Sequence, residues 1–191
     1  HLWKSEESDI GAVRGQTPRK ACQFNERKYS SGAATPLISG GKIFLYYLVP
    51  KPEIYDHNYV QQVADCIKEN ENRDLTDAEF LNARQAFALL CTEYLLCADL
   101  HTGQTIWKTV LRDSSLYGYD MNKLRGANNT PSISQGKVMG YGTTGWHWCV
   151  DAESGEVLWK TEGQERFEKA LQENITAGEY VKSKNQGILG P

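Results

Sequence analysis

"CADLHTGQTIWKT" at 97–109 and "CVDAESGEVLWKT" at 149–161 are two copies of one pattern, with six of thirteen positions identical. Each copy runs from apolar residues through an Asp to a Thr-Gly or Ser-Gly pair, then into a second run ending on Trp-Lys-Thr. Gly103 and Gly155 can take a left-handed turn conformation, and the flanking runs favour extended chain, so each copy reads as two strands around a tight turn. A second matched pair precedes each copy: "TPLISGGKI" at 35–43 and "TPSISQGKV" at 130–138, identical at six of nine positions. These are also strand–turn–strand segments. Two blocks recurring in the same order make a repeat. One repeat is strand A, turn, strand B, connection, strand C, turn, strand D: a four-stranded antiparallel meander.

The offset between copies falls from 95 at the first block to 52 at the second, so the first repeat carries 43 more residues than the second. They lie between strand B, predicted at about 41–49, and strand C, at about 93–98. Thr76-Asp77-Ala78-Glu79 has the form of a helix cap with a Glu three residues on. Phe80, Leu81, Ala83, Ala86, Phe87 and Leu90 follow at helical spacing. The insert is therefore predicted as two helices, about 58–69 and 77–91.

A meander of this kind is the blade of a β-propeller. The predicted organisation is a blade tail at 1–4, a blade at 35–109 with a helical insert at about 50–92, and a blade at 130–161. Inter-blade loops fill 5–34, 109–129 and 161–191. The A–B and C–D turns are minimal and emerge on one face. Every long connection emerges on the other, which makes that decorated face the expected binding surface.

The recurring residues resemble the tryptophan-docking motif of pyrroloquinoline-quinone-type propeller repeats. The matching positions are Cys97, Asp99, Thr102, Gly103 and Trp107, and again Cys149, Asp151, Ser154, Gly155 and Trp159. The family usually has Ala where Cys97 and Cys149 stand, and Ser154 replaces Thr. The resemblance implies an all-β fold, a partial ring of four-stranded blades with helical insertions. It implies structural roles for these ten residues: the Trp side chains cover apolar surface between blades and the Asp side chains bind turn amides. It also implies partners, namely the other blades of a parent propeller and a protein bound on the decorated face. Many exported bacterial proteins share the repeat, so a non-catalytic scaffold or binding module that is periplasmic, at the cell surface or secreted is an expectation from resemblance alone.

The rival within that family is a quinoprotein dehydrogenase holding pyrroloquinoline quinone beside Ca2+. Such enzymes carry an adjacent cysteine pair against the quinone. The five cysteines here (22, 66, 91, 97 and 149) form no such pair and read as small buried hydrophobes. Asp120, Asn122, Asn128 and Asn129 offer oxygen ligands, but at no recognised calcium-loop spacing. No catalytic residue and no cofactor are expected. A sensor module of a larger receptor is a further alternative. His147 aligns with Leu95 on strand C, so it is expected to be buried and hydrogen-bonded, and it is the one ligand candidate in the repeat.

Bulk properties narrow the rest. A chain of 191 residues with 40% hydrophobic and 24% charged side chains is an ordinary globular composition. The net charge of −3 gives no electrostatic case for nucleic acid. No apolar run is long enough to span a bilayer as a helix. Finally, Leu2-Trp3-Lys4 matches Ile106-Trp107-Lys108 and Leu158-Trp159-Lys160, and reads as the end of a preceding strand D.

Overall fold

The computed structural model describes residues 6, 7, 9, 34–116, 130–143 and 146–161. The Leu2-Trp3-Lys4 segment, the oxygen-rich 120–129 stretch and most of the loops 5–34 and 161–191 lie outside the described residues.

Two four-stranded antiparallel sheets carry the fold. In the first, β1 (Leu37–Ser39), β2 (Lys42–Tyr55), β3 (Ala88–Asp99) and β4 (Thr105–Leu116) lie side by side in chain order. In the second, β5 (Ser132–Ser134), β6 (Lys137–Tyr141), β7 (His147–Asp151) and β8 (Val157–Lys160) do the same. Strand side chains alternate between faces. Phe44, Tyr46, Leu48, Cys91, Leu95 and Cys97 of the first sheet meet Val138, Trp146, Trp148, Val150 and Ala152 of the second in one buried layer. The fold is all-β: two blades of a β-propeller packed face to face, with a helical insertion in the first.

The short turns gather at one end. Within each blade the C–D turn donates a backbone N–H to the A–B turn, Leu100 to the Gly41 carbonyl and Ala152 to the Gly136 carbonyl, both at 2.9 Å. Lys42 and Glu153 form an ion pair across the blades at this end.

At the other end the blades differ in height. β2 continues to Tyr55 and β3 begins at Ala88, so the strands of the first blade exceed the expected 41–49 and 93–98. Pro50 and Pro52 argue against such an extension, because a proline cannot donate to a ladder. They are tolerated because β1 pairs with β2 only as far as Phe44, and no other described strand pairs with the rest of β2 on that side. β4 likewise runs on to Leu116, past the expected end at 109, with register shifts and a left-handed Ser114 on the way.

The insertion holds α1 (His57–Glu71) and α2 (Asp77–Ala86). Asp56 caps α1 by accepting from the Asn58 and Tyr59 amides. Thr76 and Glu79 form a reciprocal capping box on α2. The second helix stops at Ala86 rather than 91, a correction with a clear cause. Phe87, Leu89 and Leu90, read as helical apolar positions or their neighbours, instead bury under the helices with Val60, Val63 and Ala83 as the sheet resumes. The excursion thus has its own small core on top of the first blade.

Candidate functional site

The repeat motif occupies the C–D turns and the strands beside them. In the first blade Asp99 Oδ1 accepts from the His101 amide at 2.9 Å, the Thr102 amide at 2.7 Å and the Thr102 hydroxyl at 3.0 Å. In the second, Asp151 Oδ1 accepts from the Glu153 amide, the Ser154 amide and the Ser154 hydroxyl at 2.8–3.0 Å. The Thr102 amide and hydroxyl hold the Asp99 carboxyl below its ordinary range, and the Ser154 amide and hydroxyl do the same for Asp151. Because the folded values are depressed, the stabilisation they give is present above the ordinary carboxylate range of about 4 and is lost as pH falls through the lowered values. Asp99→Asn combined with Asp151→Asn is therefore expected to flatten the acid limb of a urea-midpoint profile. An acid limb as steep as in the parent chain would contradict this.

Trp107 leaves the first blade and lies on the C–D turn of the second. Its indole Nε1 donates to the Ala152 carbonyl at 3.3 Å, and Thr109 Oγ1 donates to the Gly155 carbonyl at 2.6 Å. Gly155 has φ +76°, and a Cβ there would sit 2.7 Å from Trp107 Cδ2. Two constraints thus meet at one residue. Gly155→Ala is expected to cost about 2 kcal/mol, part from the left-handed backbone and part from displaced indole. A chemical-denaturation midpoint unchanged by the substitution would refute the contact.

Trp159, the repeat-mate of Trp107, is 47% exposed, because no described residues cover that side of the second blade. The same asymmetry corrects the reading of His147. Leu95 is buried by the second blade, whereas His147, at the matching position, is exposed. Its ring lies 4.5 Å from that of Tyr141, and its amide donates to Thr161 Oγ1. Trp146 and Trp148, on the opposite face of the chain, are the buried pair.

The thiols divide. Cys91, Cys97 and Cys149 are free and buried, and burial pushes Cys97 up to about 11. Cys66 departs from the reading of all five as packing residues: it is disulfide-bonded, its partner lying outside the described residues.

A cluster absent from the sequence reading sits inside the inter-blade layer. Glu93 is fully buried and accepts from the Tyr46 hydroxyl, Trp146 Nε1 at 3.0 Å and Thr143 Oγ1 at 3.1 Å. Burial and then the Glu93 charge push the Tyr46 phenol well above its ordinary range, so it remains a donor. The available signal was a lone Glu in "ALLCTEYLLCAD", in phase with the core-facing Cys91, Leu95 and Cys97. On the opposite face of the first blade, Lys108 lies over the stacked rings of Tyr47 and Tyr94 and binds Glu7 and Asp9.

Among the described residues no group of three or more His, Cys, Asp or Glu side chains has a metal-binding arrangement. No described helix is long and apolar enough to cross a membrane. No protein-family model matches the chain, and no curated relative matches it. Among solved structures the chain is similar to BamB from Moraxella catarrhalis, at 24% identity, over 39% of this chain and 21% of that one, with a TM-score of 0.26. The fold assignment rests on the two sheets and their packing.

Proposed function

We propose that this chain is part of a non-catalytic propeller scaffold that binds a protein partner on its decorated face, within an exported bacterial protein. The observation that carries the reading is the contrast between the two ends. At one end the turns are short and bonded to each other. At the other, the first blade rises above the second and bears a two-helix excursion with its own core, on which Phe80 and Leu81 are exposed. Exposed apolar residues on an element that is itself well packed are what a binding surface requires. The disulfide at Cys66 supports an oxidising compartment. Further blades are the natural partners of the uncovered faces.

The scaffold needs no cofactor. Pyrroloquinoline quinone and Ca2+ belong to the dehydrogenase alternative, which is not adopted because Trp107, Asp99 and Asp151 already serve turn and inter-blade contacts. The receptor-sensor alternative has no observation in its favour.

Photo-crosslinking residues placed in cells at Leu81 and Glu53, and for comparison at Gln135 and Glu153, test the proposal. Specific protein adducts are expected from the first pair. Adducts only from the second pair, or quinone- and calcium-dependent turnover by the intact protein, would replace it.

A further inference from the structure

On the excursion, one cation is held in place without a carboxylate. Arg84 Nε donates to the Pro52 carbonyl at 2.7 Å, and its guanidinium lies 4.9 Å from the Tyr55 ring centroid and 5.8 Å from that of Phe80. Tyr55 is in turn set by Phe80, edge-on at 6.4 Å, and by the His57 ring at 4.2 Å. Five other described cations have acidic partners: Arg73 with Glu71 and Glu79, Lys42 with Glu153, Lys51 with Asp113, Lys68 with Asp74, and Lys108 with Glu7 and Asp9, whereas Lys160 donates to the Leu111 carbonyl. Arg84 forms no ion pair with any described residue, and its only hydrogen bond there uses Nε. The two terminal nitrogens keep their donors.

A cation in the last turn of α2 also complements the helix dipole, and a lysine would serve that purpose equally well. The dipole does not call for a planar fork held against two rings. A guanidinium fixed in this way is preorganised for bidentate contact with a carboxylate, since the side-chain entropy has already been spent. Phe80 and Leu81, 39% and 45% exposed, lie four and three residues before Arg84 on the same side of α2, while Ala83 faces the core. An aromatic ring, an aliphatic side chain and an immobilised arginine side by side are the ingredients of an interface hot spot.

We infer that the Arg84–Tyr55–Phe80 cluster, with Leu81 beside it, binds an extended segment of a partner protein in which an Asp or Glu adjoins a large apolar residue. The carboxylate pairs with the guanidinium fork and the apolar neighbour covers Phe80 and Leu81. This deepens the binding-module reading and rests on it.

The test screens the whole chain against a display library of random peptides, in parallel with Arg84→Gln and Phe80→Ser. Both substitutions are on the outward side of α2, and unchanged helicity and melting temperature confirm folding. Enriched peptides are expected to carry Asp or Glu next to Leu, Ile, Phe or Trp. Arg84→Gln is expected to weaken the best synthetic peptide by about tenfold or more, and Glu→Gln in the peptide to do the same without a further loss in the variant. Enriched peptides lacking an acidic residue would overturn the inference, as would binding insensitive to Arg84→Gln. Self-association or adhesion to anionic vesicles that depends on Arg84, with no peptide enriched, would overturn it in favour of a second copy or a lipid headgroup. If protein adducts form at Leu81 but Arg84→Gln changes nothing, the scaffold survives and only this inference fails. If neither adducts nor peptides appear, both fail.

Discussion

Glu93→Ala is expected to destabilise the two-blade layer by about 3–5 kcal/mol, the largest effect of any single substitution considered for this protein. The carboxylate is fully buried, and its donors come from both blades: Tyr46 from β2, and Thr143 and Trp146 from the turn that joins β6 to β7. Truncation leaves the buried Tyr46 phenol and Trp146 indole N–H facing an apolar layer that includes Leu48, Leu95 and Trp148, while the exposed Thr143 hydroxyl can turn to water. An unmatched buried donor loses its full hydration, so the cost exceeds that of deleting an exposed ion pair. Glu93→Gln keeps one acceptor oxygen and introduces an amide NH2 where donors already converge, and should fall between the parent and Glu93→Ala. Urea unfolding followed by Trp fluorescence measures both. A Glu93→Ala midpoint within about 1 kcal/mol of the parent would show that the cluster does not join the blades.

Gly142→Ala is expected to cost about 3 kcal/mol, at the upper end of what one added methyl group does in a packed core. A Cβ at Gly142 would lie 1.7 Å from Trp146 Nε1, and one at Gly140 would lie 2.4 Å from Trp148 Cζ2. Neither ring can easily retreat. Trp148 is fully buried against Tyr46, and Trp146 is held at its indole nitrogen by Glu93. The clash at Gly142 therefore falls on the same hydrogen bond that Glu93→Ala removes. The double substitution should cost less than the sum of the two singles, by about 1 kcal/mol or more. Strict additivity, or a Gly142→Ala chain as stable as its parent, would mean the hairpin accommodates the methyl group by moving away from the first blade.

The sequence carried most of the architecture because the repeat compares the chain with itself. Block order and offset alone place the eight strands and locate the insertion, and Thr76 and Glu79 mark the start of α2. Boundaries were harder. Phe87 and Leu90 satisfy helical spacing equally well whether they continue a helix or enter a strand, and only the small core under α1 and α2 decides between them. Prolines 50 and 52 argue against strand wherever a ladder runs on both sides, and nothing in their local sequence reveals that β1 stops short. His147 departs from expectation for a different reason. Alignment with Leu95 identified the face correctly, but burial depends on what lies opposite, which is a property of the neighbouring blade. Glu93 carries no repeat signal, because it aligns with Gly145 in the second copy. The Arg84 cluster joins residues from β2 and α2 that are about thirty apart in the chain, with no spacing signal to connect them.

The unequal height of the blades sets a counting rule. Binding surfaces built from repeated positions occur once per repeat, so a partner reading them could load several times on one molecule. Of the two described repeats, the tower made by the overlong β2 and β3 and the two helices interrupts the first, and the second closes the same gap with the few residues between Tyr141 and His147. A partner that recognised the tower, as proposed, would bind one to one with these two repeats, in a single orientation, and a repeating fold would thereby acquire an address.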